Sequence, residues 1–203
     1  MVWLSQKPNL KQRWLIKMTK IDKTCIIHPS ANISDNVTIG PYSIIEKNVK
    51  IDKGTIIKPY VHVKSNTVIG KNNIIYQNTV LGEVPQDLKF KGEETFLIIG
   101  DNNTIRESCT LNRGTDFAFK TIIGNNCLLM AYSHVAHDCI VKDKVILANG
   151  VQLGGHVEIG YHVTVGGMSP VHQFCKIGDH AFIGGGRLVL QDIPPYILAT
   201  GEP

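Results

Sequence analysis

The sequence predicts an all-β chain, a parallel β-helix of triangular coils. Three observations carry this: an aliphatic residue at every sixth position, a small residue four places beyond it, and frequent glycine directly after it. Ile or Val stands at 27, 33, 39, 45, 51, 57, 63, 69 and 75, followed by Leu81. The series resumes at Ile99, Ile105 and Leu111, and again from Ile123 at every sixth residue to Val189. In an α-helix each residue advances roughly 100°, so sixth residues fall about 240° apart and no face collects them. Short strands joined by turns do collect them. Three hexads close a coil of about 18 residues, and stacked coils pair as parallel strands about 4.8 Å apart.

Residues 1–20 precede the repeat and carry Lys7, Lys11, Arg13, Lys17 and Lys20 with no acid. They read as an extension from an upstream start codon, with Met18 preferred as the true start over a transit peptide. The coil is expected over residues 21–192. Two breaks, near 83–98 and 113–122, are expected as loops ejected from a coil whose register resumes afterwards. The first gathers Gln86, Asp87, Lys89, Lys91, Glu93 and Glu94, and loops on a rigid scaffold often carry function. Glycine after the aliphatic, at 40, 70, 82, 100, 124, 154, 160, 166, 178 and 184, is expected to supply open backbone geometry at the turns. Arg187 falls on an inward small-residue position, which marks the last full coil as a cap, and residues 193–203 form an exit segment.

With 203 residues, 43% of them hydrophobic and 19% charged, the chain suits one domain with a substantial core. No apolar run reaches the roughly 20 residues needed to cross a bilayer, and no secretory signal opens the chain, so membrane insertion is not expected and a cytoplasmic location is. A net charge of +4, spread along the chain, argues for a solvated surface and against nucleic-acid binding, and is compatible with an acidic protein partner. Cys25, Cys109, Cys127, Cys139 and Cys175 share the inward phase filled elsewhere by Ala31, Ser43, Thr55, Val61 and Val145, so they read as small buried residues rather than ligands or disulfides.

Coils of about 18 residues make vertical neighbours of His137, Gly155 and Gln173, and of Asp138 and His156 in the adjoining column. An imidazole above a glycine leaves space and an accessible N–H, and a carboxylate one place away can orient or charge a neighbouring imidazole. This suits acyl transfer to a hydroxyl. A neutral His takes the hydroxyl proton during attack on a thioester, and the Gly155 N–H stabilises the oxyanion. Single histidines such as His28, His62, His162 and His180 read as ordinary turn residues; the run His134, His137, Asp138 with His156, His172 and Gln173 reads as a site. A zinc site of three imidazoles, as in γ-class carbonic anhydrases, is the rival; the local spacing in SHVAHD is His-x2-His rather than that family's His-x4-His, and no metal is expected.

The hexad resembles the bacterial transferase hexapeptide repeat, which implies a left-handed parallel β-helix and usually a homotrimer. Longer motifs narrow the resemblance: IDKTCIIHPSA at 21–31, GEVPQDLKFKGE at 82–93, IRESCTLNRGT at 105–115, LLMAYSHVAHDC at 128–139, LGGHVEIG at 153–160, VHQFCKIG at 171–178 and QDIPPYILATGEP at 191–203. These are similar to the UDP-N-acetylglucosamine 3-O-acyltransferase family of lipid A synthesis. The resemblance implies transfer of an (R)-3-hydroxyacyl chain from the phosphopantetheine of acyl carrier protein to the 3-hydroxyl of UDP-N-acetylglucosamine, with no separate cofactor. It implies His137 as general base, Asp138 as its orienting carboxylate and Gly155 as the oxyanion position. Asp87, Lys89, His134, His156, His172 and Gln173 match substrate-lining positions, and Gly185 matches an acyl-groove position whose smallness favours a longer chain. Family members continue past the point matching Pro203 into a helical domain that helps bind nucleotide, which is not expected here. They also often carry a glycine cluster where this chain reads RGTDFAFKTIIG.

Alternatives are the UDP-3-O-acylglucosamine N-acyltransferases, an acetyl-CoA-dependent acetyltransferase, and a non-catalytic β-helix kept as a binding module. An additional N-terminal domain separates the first, the QDLK loop and RGT segment weigh against the second, and the intact His137, Asp138, Gly155 and Gln173 set weighs against the third.

Overall fold

The computed structural model describes residues 19–201; the expected start at Met18 and the reading of residues 1–18 lie outside the described residues. The described chain is a left-handed parallel β-helix with no α-helix, its short strands forming three parallel sheets of ten, eight and eight strands. The first sheet begins with Lys20–Ile21 and Thr38–Ile39, the second with Ile26–Ile27 and Ile44–Ile45, and the third with Asn32–Ile33 and Lys50–Ile51. Up to Phe182–Ile183 successive strands visit the sheets in rotation, so each hexad supplies one side of the triangle; the last coil returns to the first sheet at Leu198–Ala199 through isolated bridges at Val189 and Ile193.

The predicted inward aliphatics from Ile39 to Val189 are all buried, and Ile27 and Ile33 pack against this core at its open N-terminal end. Several inward polar side chains are satisfied by the next coil, whereas the buried hydroxyls of Thr67, Thr95 and Thr121 find no partner among the described residues. Ser43 Oγ donates to the Lys58 carbonyl at 3.0 Å, Thr55 Oγ1 to Gly70 at 2.8 Å, and Asn73 Nδ2 to Gly100 at 2.8 Å. The cysteines use the same phase: Cys139 Sγ donates to the Gly154 carbonyl at 3.1 Å, and all five are free thiols.

The turns work differently from the expectation. Of the glycines that follow the aliphatic, only Gly82 has positive φ; left-handed backbone falls two places later, at Asn36, Asn72, Asn102 and Asn126 among others, and at Asp138, His156 and Phe174. The glycines answer close approach instead. A Cβ at Gly40 would lie 2.8 Å from Pro59 N, and one at Gly124 would lie 2.8 Å from Asp143 N. Asn tolerates the left-handed region because its short side chain bonds locally; for other residues it costs about 1–2 kcal/mol each.

Neighbouring coils are 18 residues apart, as in the bond from Asn125 to Asp143. Across the first loop the offset is 30, as for Asn103 and Asn73, and across the second it is 24, as for Thr110 and His134. Both insertions are multiples of six, which keeps the sequence phase intact. The strands beside them, Val80–Glu83 with Phe96–Ile99 and Thr110–Asn112 with Lys120–Ile123, leave loops at 84–95 and 113–119. Both loops leave from the corner between the second and third sheets. Stacking continues beyond residue 192, since Ile177 bridges Ile193 and Phe182 pairs with Leu198, while Arg187 reaches across the last coil to the Gly201 carbonyl at 2.6 Å.

Candidate active site

The corner that ejects both loops holds His137 and Asp138, with Gly155 and His156 one coil on and Gln173 and Phe174 after that. His156 N donates to the His137 carbonyl, and Phe174 N to that of Gly155, each at 3.0 Å. The His137 ring lies against Gly155: a Cβ there would fall 2.6 Å from Cε1 and 2.8 Å from Nε2. Glycine at 155 is therefore what lets the imidazole lie flat on the backbone of the next coil. Among the described residues no hydrogen bond uses the Gly155 N–H.

Asp138 is buried and receives four donors. Thr115 N and Ala118 N donate to Oδ1 at 2.9 and 3.3 Å, and Thr115 Oγ1 and His137 Nδ1 lie 2.6 and 2.9 Å from Oδ2. Burial alone would raise this carboxyl's pKa; hydrogen bonds from His137 and Thr115 outweigh it and hold the group below the usual carboxylate value. The ionised carboxylate is an acceptor only, so His137 carries its proton on Nδ1 and presents a lone pair at Nε2.

His156 lies edge-on to His137 with ring centroids 5.0 Å apart, stacked on Phe174 at 4.2 Å and 2°, and met edge-on by Phe117 at 4.6 Å. Its Nδ1 is 3.8 Å from Asp138 Oδ2, too far for a hydrogen bond, and is a buried atom without a partner. Burial pushes the His156 pKa down, with the attraction of Asp138 opposing and the repulsion of His137 assisting. His134, bonded to Thr110 Oγ1 at 2.8 Å through Nδ1, is likewise pushed down, chiefly by burial. Burial thus favours the neutral form of both imidazoles.

The remaining expected residues are placed less closely. Asp87 and Lys89 sit on the first loop, where Asp87 Oδ1 accepts the Lys89 N–H at 2.9 Å, and both lie near enough to act on the charge of His156. His172 and Gln173 are exposed on the same corner, His172 Nδ1 lying 3.1 Å from the Gln173 carbonyl oxygen. Gly185 is at another corner, between the first and second sheets, exposed and with Gly167 O 3.3 Å from where its Cβ would be. Potential ligand atoms of His137, Asp138 and His156 lie within 4.8 Å of one another, but both Asp138 oxygens already accept hydrogen bonds, the geometry of an oriented imidazole rather than an open donor set. Sequence reading missed Thr115, Phe117 and Phe174. Phe174 shares the column of Asp138 and His156 and was legible from the period; Thr115 and Phe117 belong to an aperiodic loop.

Comparison with known proteins agrees with this fold. The bacterial transferase hexapeptide (six repeats) family matches residues 48–83 and 120–155. An acyl-(acyl-carrier-protein)-UDP-N-acetylglucosamine O-acyltransferase of Aliarcobacter butzleri is 54% identical over 186 residues, covering 91% of this chain and 72% of that protein. Among solved structures, LpxA from Acinetobacter baumannii superposes with a TM-score of 0.89 at 54% identity, covering 90% of this chain and 71% of the other. LpxA, a UDP-N-acetylglucosamine acyltransferase from Bacteroides fragilis, gives 0.89 at 42% identity with the same coverage. With a hexapeptide coil throughout, a His–Asp couple at its ejected-loop corner and relatives of this identity, the chain belongs to the UDP-N-acetylglucosamine O-acyltransferase family.

Proposed function

We infer that this chain transfers an (R)-3-hydroxyacyl group from the phosphopantetheine thioester of acyl carrier protein to the 3-hydroxyl of UDP-N-acetylglucosamine, the first step of lipid A synthesis. The observation that carries the reading is the His137–Asp138 couple: Nδ1 is fixed on a saturated buried carboxylate, so Nε2 is free as a base beside Gly155. In this reaction Nε2 removes the proton of the 3-hydroxyl as its oxygen attacks the thioester carbonyl. Charge develops on the carbonyl oxygen, which the Gly155 N–H receives. The C–S bond then breaks, the ester forms, and the departing thiolate takes the proton back from His137. No covalent acyl-enzyme is needed, and the buried cysteines are unsuited to one: burial pushes Cys109 and Cys139 up to about 12 and Cys127 to about 11.

Neutral His134 and His156 suit hydrogen bonding to sugar hydroxyls, and Asp87, Lys89, His172 and Gln173 suit the polar acceptor around the same corner. Gly185 fits an acyl groove open enough for a long chain. A homotrimer is supported by the outer face of the first sheet, where Ile56, Ile74, Leu128, Ile146, Phe182 and Leu198 stack without a charged neighbour in the column between Thr38 and Leu198.

The test is to incubate the chain with 3-hydroxyacyl carrier protein and UDP-N-acetylglucosamine and determine the product by NMR. An ester at the sugar 3-position is expected. An amide product, or transfer that requires an added metal, would contradict the reading.

A further inference from the structure

We propose that Thr115 is a positioning residue for the reaction, holding the Asp138 carboxylate in the one orientation from which Oδ2 serves His137. The inference rests on the acyl-transfer reading above and adds to it a residue from a different coil.

Thr115 contacts both carboxylate oxygens, through its N–H at 2.9 Å to Oδ1 and its hydroxyl at 2.6 Å to Oδ2. With one donor on each oxygen Thr115 sets the rotation of the carboxylate plane, Ala118 N joining it at Oδ1, and its hydroxyl is the donor that stands beside His137 Nδ1 at Oδ2. Both residues are almost fully buried, at 4% exposure each, so water cannot take the place of either donor. The loop is itself held. Arg113 N donates to the Glu83 carbonyl at 3.0 Å, Gly114 N to that of Phe96 at 3.2 Å, and Phe119 N to that of Thr115 at 2.8 Å. Thr115 is thus presented from a backbone anchored on both flanking strands. Asp138 in turn occupies left-handed backbone, at φ 59°, a conformation that surrounding contacts must maintain.

The consequence is chemical. Thr115 stabilises the state in which Asp138 is ionised and His137 neutral more than the state in which the pair holds an added proton. Removing its hydroxyl makes the pair more basic, whichever member takes the proton. The other titratable groups facing the carboxylate are His156, at 3.8 Å, and the Cys139 thiol, which its charge pushes further up; Asp87 and Lys89 act on His156 from the first loop. None of these supplies a replacement donor at Oδ2 within hydrogen-bond distance.

The experiment compares the full chain with Thr115→Val, Thr115→Ser and Thr115→Ala in transfer from acyl carrier protein to UDP-N-acetylglucosamine, recording kcat and KM against pH. Thr115→Val is expected to lower kcat about tenfold with little change in KM, and to move the acid limb of kcat to higher pH. Thr115→Ser restores both, and Thr115→Ala reproduces the valine result should the bulkier methyl disturb folding. A limb that stays in place while only the melting temperature falls overturns the proposal and leaves Thr115 a structural residue. His137→Ala run alongside separates the two claims: if it retains full activity the reading of the site fails, whereas its loss with an unmoved limb in Thr115→Val removes the Thr115 proposal alone.

Discussion

His137 owes its position to three neighbours that differ in kind: a carboxylate that fixes its tautomer, a glycine that admits its ring, and an imidazole at right angles to it. Gly155→Ala tests the second. The added Cβ would lie 2.6 Å from Cε1, so the ring must tilt off its Asp138 bond, and kcat is expected to fall roughly 100-fold while the melting temperature barely moves. Burial depresses the His134 and His156 pKa values below the reference 6.5, so the unfolded chain binds more protons than the folded one as pH drops below about 6.5. Stability supplied by these neutral rings is full above that value and declines as pH falls toward their folded values. Asp138, held below 3.8, adds a second loss as pH falls through its own folded value. Denaturant titrations at pH 7.5, 6, 5 and 3 should show both the direction and the order, the histidine loss appearing by pH 5 and the Asp138 loss only below it. Phe117→Ala uncovers His156, and its NMR titration midpoint is expected to rise toward 6.5.

At the scale of elements, each side of the coil is a strand of two to four residues that cannot persist alone, and each corner is a place where two backbones nearly touch. Gly124→Ala puts a Cβ 2.8 Å from Asp143 N, so a loss of about 2–4 kcal/mol is expected by denaturant unfolding, more than most surface substitutions cost. Asn126→Gly, at φ 57°, should be nearly neutral by the same measurement, whereas Asn126→Val should cost about 1–2 kcal/mol. These two cases show what could be read beforehand. Glycine after the aliphatic was visible, but its reason, clearance for the next coil rather than left-handed backbone, depends on a distance the sequence does not contain. The column of His137, Gly155 and Gln173 was legible because stacking multiplies a known period. Thr115 and Phe117 were not, because an ejected loop has no period and its fold-back onto Asp138 is set by tertiary hydrogen bonds.

The molecule as a whole is a prism whose insertions preserve phase: coils on either side of a loop stay in register at offsets of 30 and 24 residues, and both loops leave from the corner that holds His137 and Asp138. The chain spans 72% of the length of its Aliarcobacter butzleri relative, and every residue named at the corner lies within that span. No helix among the described residues is long and apolar enough to cross a membrane. At another corner, Gly185 leaves the surface low, and donors competing for the same enzyme should be chosen in favour of longer acyl chains; Gly185→Met should shift that preference to shorter ones. The central claim is that the corner between the second and third sheets performs acyl transfer with His137 as its base. The most direct test is the initial rate of transfer from 3-hydroxyacyl carrier protein to UDP-N-acetylglucosamine by His137→Ala, with its melting curve matched to the parent. A folded variant slowed by roughly 100-fold or more is the predicted result. A folded variant that transfers at the parent rate would contradict the account.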